Sequence, residues 1–92
     1  MTASLDRSVQ VGKDVVFREL EGEAVILNLE TGTYFGLDEV GTRIWQFCRD
    51  HGSLRSVWEA MQREFDAPPE ELQADLLAFV DELASRGLMT LQ

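Results

Sequence analysis

The chain has 92 residues, 45% of them hydrophobic, with 17 acidic and 8 basic side chains and a formal charge of −9. This length holds one small core and no second domain, and the apolar share argues against a disordered chain. The acidic excess opposes nucleic-acid and anionic-membrane partners, which need a concentrated positive face; the basic residues stand singly from Arg7 to Arg86 and never form a run.

Cys48 is the single cysteine, so no internal disulfide forms, in keeping with a reducing compartment. The start of the chain, "MTASLDRSVQVGKD", has no apolar stretch of signal-peptide length. The longest apolar run, "AVILNL", is about six residues, against roughly 20 for a bilayer span. A cytoplasmic location is expected.

Residues 1–13 are polar without a clear period and are expected to be a flexible N-terminal arm that orders only at its end. Residues 14–92 are expected to form the single domain. Within it "VVFREL" (15–20), "AVILNL" (24–29) and "TYFGL" (33–37) read as strands, rich in β-branched and aromatic residues and split by "EGE" and "ETG". These short glycine-bearing gaps suit hairpins, giving an antiparallel meander in which the third strand is an edge by connectivity.

Asp38 is placed to cap a helix over 39–51, with Val40, Ile44, Phe47 and Cys48 on one face and Trp45 beside it. Gly52 stops that helix, and Ser53 caps a second over 54–65 whose stripe is Leu54, Val57, Trp58, Met61 and Phe65. In "DAPPEE" the prolines suit a first helical turn, and Glu70 and Glu71 suit the positive end of a helix dipole. The third helix, 69–86, carries Leu72, Leu76, Phe79, Val80 and Leu83, widened by Leu77. Gly87 ends it, and "LMTL" is expected to fold back onto the core. Strands first and helices second define an α+β protein, a three-stranded antiparallel meander followed by three helices, and three helices beside a small sheet can make a winged helix-turn-helix-like fold.

Little in the chain suits catalysis. Cys48 and His51 are three apart, but the cysteine lies on the apolar stripe and the helix ends at once. Two ligands do not make a zinc site. "TGTYFG" lacks the Lys-Ser/Thr of a phosphate loop and leads into a strand, and a serine nucleophile would have only His51 as its base. No catalytic residue, metal site or cofactor is expected. DNA binding is disfavoured because the best reading helix, 69–86, carries five acidic residues and one arginine.

The third strand carries the functional signal. An edge presents unpaired N–H and C=O groups and is usually blunted by lysine, proline or a bulge; "TYFGL" has neither lysine nor proline. Alternation sends Tyr34 and Gly36 one way and Thr33, Phe35 and Leu37 the other. Two readings stand: Gly36 leaves space for an added strand, or it merely accommodates twist beside a Tyr34 packed on a neighbour.

"VILNLETGTYFGLDEVGTRIWQF", followed by helices ending in "FVDELASRGLM", resembles the PqqD-like proteins, also known as RiPP recognition elements. The resemblance spans residues 11–91. Its most specific parts are "LNLETGTYFGLDEVGTRIW" and the terminal L-x-x-x-G-L at Leu83, Gly87 and Leu88. It implies that the leader of a ribosomally made precursor peptide joins strand three as an extra β-strand, in a groove beside helix three. Carried over by position, Thr33, Tyr34, Phe35 and Gly36 supply the edge, and Asp75, Leu76, Phe79 and Val80 the opposite wall, with at least one of those apolar residues mainly core. Asp75 on the rim would attract a basic leader residue. The resemblance further implies a non-catalytic domain that delivers the core peptide to a separate modifying enzyme: a leader peptidase or cyclase in a lasso-peptide pathway, or a radical-SAM enzyme in quinone-cofactor (PQQ) synthesis. Other readings are an acidic winged-helix scaffold joining proteins without a leader and, last, a DNA-binding regulator. The same edge is also able to pair with its twin in a homodimer.

Overall fold

A computed structural model describes residues 3–21 and 23–92. In chain order the elements are β1 (Val9–Val11), β2 (Val15–Leu20), β3 (Glu23–Asn28), β4 (Tyr34–Leu37), α1 (Glu39–His51), α2 (Leu54–Glu64), α3 (Pro69–Ser85) and β5 (Met89–Leu91). β2, β3 and β4 form an antiparallel sheet in that order, and β1 pairs with β5 in a second, two-stranded sheet.

The meander follows from alternation. Ala24, Ile26 and Asn28 on β3 are buried, and Phe17 on β2 stacks on Trp45 of α1 with ring centroids 6.3 Å apart. α1 therefore covers the inner face of the sheet, while Val16, Val25 and Tyr34 of the outer face stay exposed. The β3–β4 turn is built by Asn28. Its Oδ1 accepts from the N–H groups of Glu30 (2.9 Å) and Thr31 (3.2 Å). Gly32 takes a φ of +78°, a backbone shape that disfavours a Cβ.

The helices start where capping side chains supply acceptors. Asp38 accepts from the Gly41 N–H at 2.7 Å, and Ser53 accepts from the Ser56 N–H at 3.4 Å. α3 has no side-chain cap and begins with proline at its first position, where the missing N–H costs no helical hydrogen bond. The Trp58 Nε1–H donates to the Pro69 carbonyl at 2.8 Å, tying α2 to the start of α3. Ile26, Trp45, Leu54, Met61, Leu76, Leu83 and Leu88 form the centre of the core.

The start of the chain differs from a loose arm. Among its described residues, Ala3 and Val9 are buried. The Ala3 N–H donates to Asp81 Oδ1 at 2.8 Å, and the Val9 N–H to the Gly52 carbonyl at 2.8 Å. Val9, Gln10 and Val11 pair with Leu91, Thr90 and Met89. Met1 and Thr2 of the expected arm, and Gly22 of the β2–β3 turn, lie outside the described residues. The physical reason is mutual need: "LMTL" does fold back, burying Leu88 and Met89, and its backbone then requires a strand partner. A three-residue "VQV" is too short to announce a strand by periodicity. Among the described residues, no helix is long and apolar enough to cross a membrane.

Candidate functional site

β4 is the last strand of its sheet, and its outer edge has no partner among the described residues. The Asn28 N–H donates to the Thr33 carbonyl at 2.8 Å, and the register sets Leu27 opposite Tyr34, Ile26 opposite Phe35 and Val25 opposite Gly36. Antiparallel pairs alternate between those that exchange hydrogen bonds and those that do not. Phe35 therefore turns its peptide groups toward β3, and Tyr34 and Gly36 turn theirs outward. Thr33 is drawn into the turn instead: its N–H donates to Thr31 Oγ1 at 3.2 Å. Of the four strand residues named from the sequence, two offer open backbone, one forms an inward floor, and Thr33 offers neither backbone group.

The side chains suit an approaching strand. Tyr34 is 71% exposed, not packed on a neighbour, and a Cβ built on Gly36 would meet no heavy atom within 4 Å. On the inner face Phe35 is half-buried and Leu37 buried. β1 does not fill this edge; it pairs with β5 in the separate two-stranded sheet.

α3 divides the four residues assigned to the second wall. Leu76 and Val80 have no exposed surface and, with Leu72 and Leu83, hold the helix in the core. Phe79 is half-buried and Asp75 exposed. Helical spacing groups Asp75 and Phe79 with Glu82 and Arg86, at steps of four, three and four, on one flank beside the core stripe. The Arg86 guanidinium lies 5.0 Å over the Phe35 ring and donates to Glu82 Oε1 at 3.3 Å. This contact brings the C-terminal end of the flank to β4. Asn28 secures it, because its Nδ2–H donates to the Gly87 carbonyl at 3.0 Å.

Sequence reasoning passed over Arg86, Glu82 and Asn28. In the sequence Arg86 stands out only as the one arginine of the acidic helix 69–86. The signal that could have found it is its spacing from Asp75 and Phe79.

Cys48 and His51, the nucleophile and metal-ligand candidates, lie on α1. Cys48 is 2% exposed, and burial pushes its thiol up from 9.0 to about 12. His51 tilts against Phe47 with ring centroids 6.0 Å apart. Among the described residues, no three His, Cys, Asp or Glu side chains group to hold a metal ion.

Fold and site together define a small α+β module whose sheet ends on an open strand beside a charged helix flank. The chain belongs to the family described as coenzyme PQQ synthesis protein D (PqqD), which matches residues 23–89 and so spans both β4 and α3. It is 28% identical over 53 residues to the PqqA binding protein of Bradyrhizobium diazoefficiens, a match covering 58% of this chain and 52% of that one. The chain thus matches about half the length of that curated relative. Among solved structures it is similar to TbiB1 in complex with the TbiA(beta) leader peptide, with a TM-score of 0.82 and 33% identity over 88% of this chain and 94% of that chain. Lasso peptide synthetase B1 complexed with the leader peptide shares the fold at a TM-score of 0.78, with 20% identity and coverage of 89% and 96%.

Proposed function

We propose that the chain recognises the leader segment of a ribosomally synthesised precursor peptide by accepting it as a strand on β4, and presents the rest of that peptide to a separate modifying enzyme. The observation that carries this reading is the unpaired β4 edge at Tyr34 and Gly36, lying next to the Phe79–Arg86 flank of α3. The relatives support it: one is named for binding PqqA, and two similar structures hold leader peptides.

In this reading Tyr34 and Gly36 supply the ladder, Phe35 and Phe79 the apolar contacts, and Asp75 a rim charge for a basic leader residue. Leu76 and Val80 act from below, as the packing that holds Phe79 in place. The domain does no chemistry of its own. The enzyme it serves is a leader peptidase or cyclase of the lasso type, or a radical-SAM enzyme.

Magnitudes indicate what selects the leader. About four new hydrogen bonds contribute roughly 1 kcal/mol each net, and two buried anchors about 1.5–3 kcal/mol each. Ordering a flexible peptide costs about 2–5 kcal/mol or more. Backbone pairing alone is therefore weak, and the side-chain contacts decide which leader is held.

The test is a titration with the TbiA(beta) leader and with PqqA, following amide shifts in residues 33–37. Shifts should centre on Tyr34 and Gly36. Phe79→Ala should weaken binding about 10- to 100-fold and Tyr34→Ala should also weaken it, whereas the exposed control Glu59→Ala should not. Equal affinities for the three folded variants would argue against this groove.

A further inference from the structure

We infer that Arg86 makes the groove selective for a strand bearing a carboxylate side chain two residues from its apolar anchor. The inference rests on the strand-addition reading above and adds the chemistry of the peptide that fits.

A strand joining β4 sends alternate side chains to the inner face, where Phe35 and the α3 flank lie. Two of these neighbouring inner positions differ in what they meet. One lies by Leu37 and Phe35, where an apolar side chain finds a ring and a buried leucine. The next lies by Phe35 and Thr33, where Arg86 stands with its guanidinium 5.0 Å above the Phe35 ring. The Asn28–Gly87 hydrogen bond ties the end of α3 to this same end of β4.

Arg86 is prepared to take an anion. The cation–π contact with Phe35 holds its guanidinium beside the strand before any ligand arrives. Among the described residues its side chain has one hydrogen-bonded partner, Glu82, held through Nη2 at 3.3 Å, with the two side chains 44% and 50% exposed. Such a surface pair is weak, and a guanidinium carries five donors. A peptide carboxylate can therefore join or replace Glu82 in a bidentate contact without desolvating a buried ion. The remaining charges sharpen the choice. Glu70, Glu71, Asp75, Asp81 and Glu82 are all acidic, and Arg86 is the single base on 69–86. A carboxylate set elsewhere along the helix meets repulsion; only at its C-terminal end does it meet a cation.

The experiment is a selection of random twelve-residue peptides displayed on phage against the immobilised full chain, with Gly36→Pro as a parallel target. Proline removes an outward N–H of β4 while remaining tolerable on an edge. Peptides that bind the chain and not Gly36→Pro should show Asp or Glu two residues from an apolar position; the order of the two reports the strand direction. Changing that Glu to Gln in a selected peptide should weaken binding to the chain about tenfold and leave binding to Arg86→Gln unchanged. Selection on Arg86→Glu should exchange the acid for Lys or Arg, a switch that a merely structural arginine would not produce. Edge-dependent peptides without the acid, or an acid preference that survives Arg86→Glu, overturn the role of Arg86 alone. No enrichment, or enrichment that persists on Gly36→Pro, overturns strand addition and this inference together.

Discussion

The Cys48 thiol sits at 2% exposure on the inner face of α1, and its burial has a pH consequence. The folded protein holds the neutral thiol up to about 12, against 9.0 for the ordinary group. This contribution to stability is complete below pH 9 and is lost as the pH rises toward 12, because the unfolded chain releases the proton first. Above pH 9 the loss should approach about 1.4 kcal/mol per pH unit. Urea midpoints measured from pH 8 to 11 should fall more steeply for the native chain than for Cys48→Ala. Asn28 offers a second test at this scale. It is 9% exposed, accepts from two turn N–H groups, and donates to Gly87. Asn28→Ala should cost about 1–3 kcal/mol in a denaturant titration, and it should also weaken peptide binding by freeing Arg86 from its station over Phe35. An Asn28→Ala variant that binds peptide as tightly as the native chain would detach the turn from the groove.

Strand β4 and helix α3 are the two elements of the proposed groove, and each was legible to a different depth. The strand was readable because a period of two leaves few choices: with Leu37 buried, Phe35 must share its face and Tyr34 and Gly36 must take the other. The helix was less so. A stripe of Leu72, Leu76, Val80 and Leu83 announces a buried face, yet periodicity does not say whether Phe79, at the border of that stripe, leans to the core or to a groove. The space over Gly36 separates stability from binding. Nothing lies within 4 Å of an added Cβ, and its φ is not left-handed. Gly36→Ala should therefore stabilise the strand by about 0.5–1 kcal/mol while reducing affinity for any peptide whose side chain uses that space. Thermal unfolding and peptide titration of the one variant should move in opposite directions.

At the scale of the molecule, the two sheets divide the work. Among the described residues the β2–β3–β4 sheet keeps an open border, whereas the β1–β5 pair closes over Val9, Leu88 and Met89 of the core. Val9→Ala should lower stability by about 1.5–3 kcal/mol, from lost burial and the cavity left behind, and should leave peptide affinity of the folded protein unchanged. Loss of affinity in step with stability would mean that the closing pair and the groove are mechanically coupled. The formal charge of −9 acts over the same scale: it disfavours acidic partners in general, and so makes one well-placed arginine a selective device.

Sequence by itself determined the order of the three meander strands and the three helices, the alternation of side chains along β4, its status as an edge by connectivity, and the acidity of α3. All of these follow from local period, capping residues, connectivity and composition, which act over a few residues. Tertiary structure alone decided that the first strand closes on the last, that Asn28 reaches a carbonyl 59 positions away, and that Arg86 lies on Phe35. Those contacts depend on the rotation of each helix about its axis and on where its end falls against the sheet. Packing of the whole core sets both, and no local pattern encodes them.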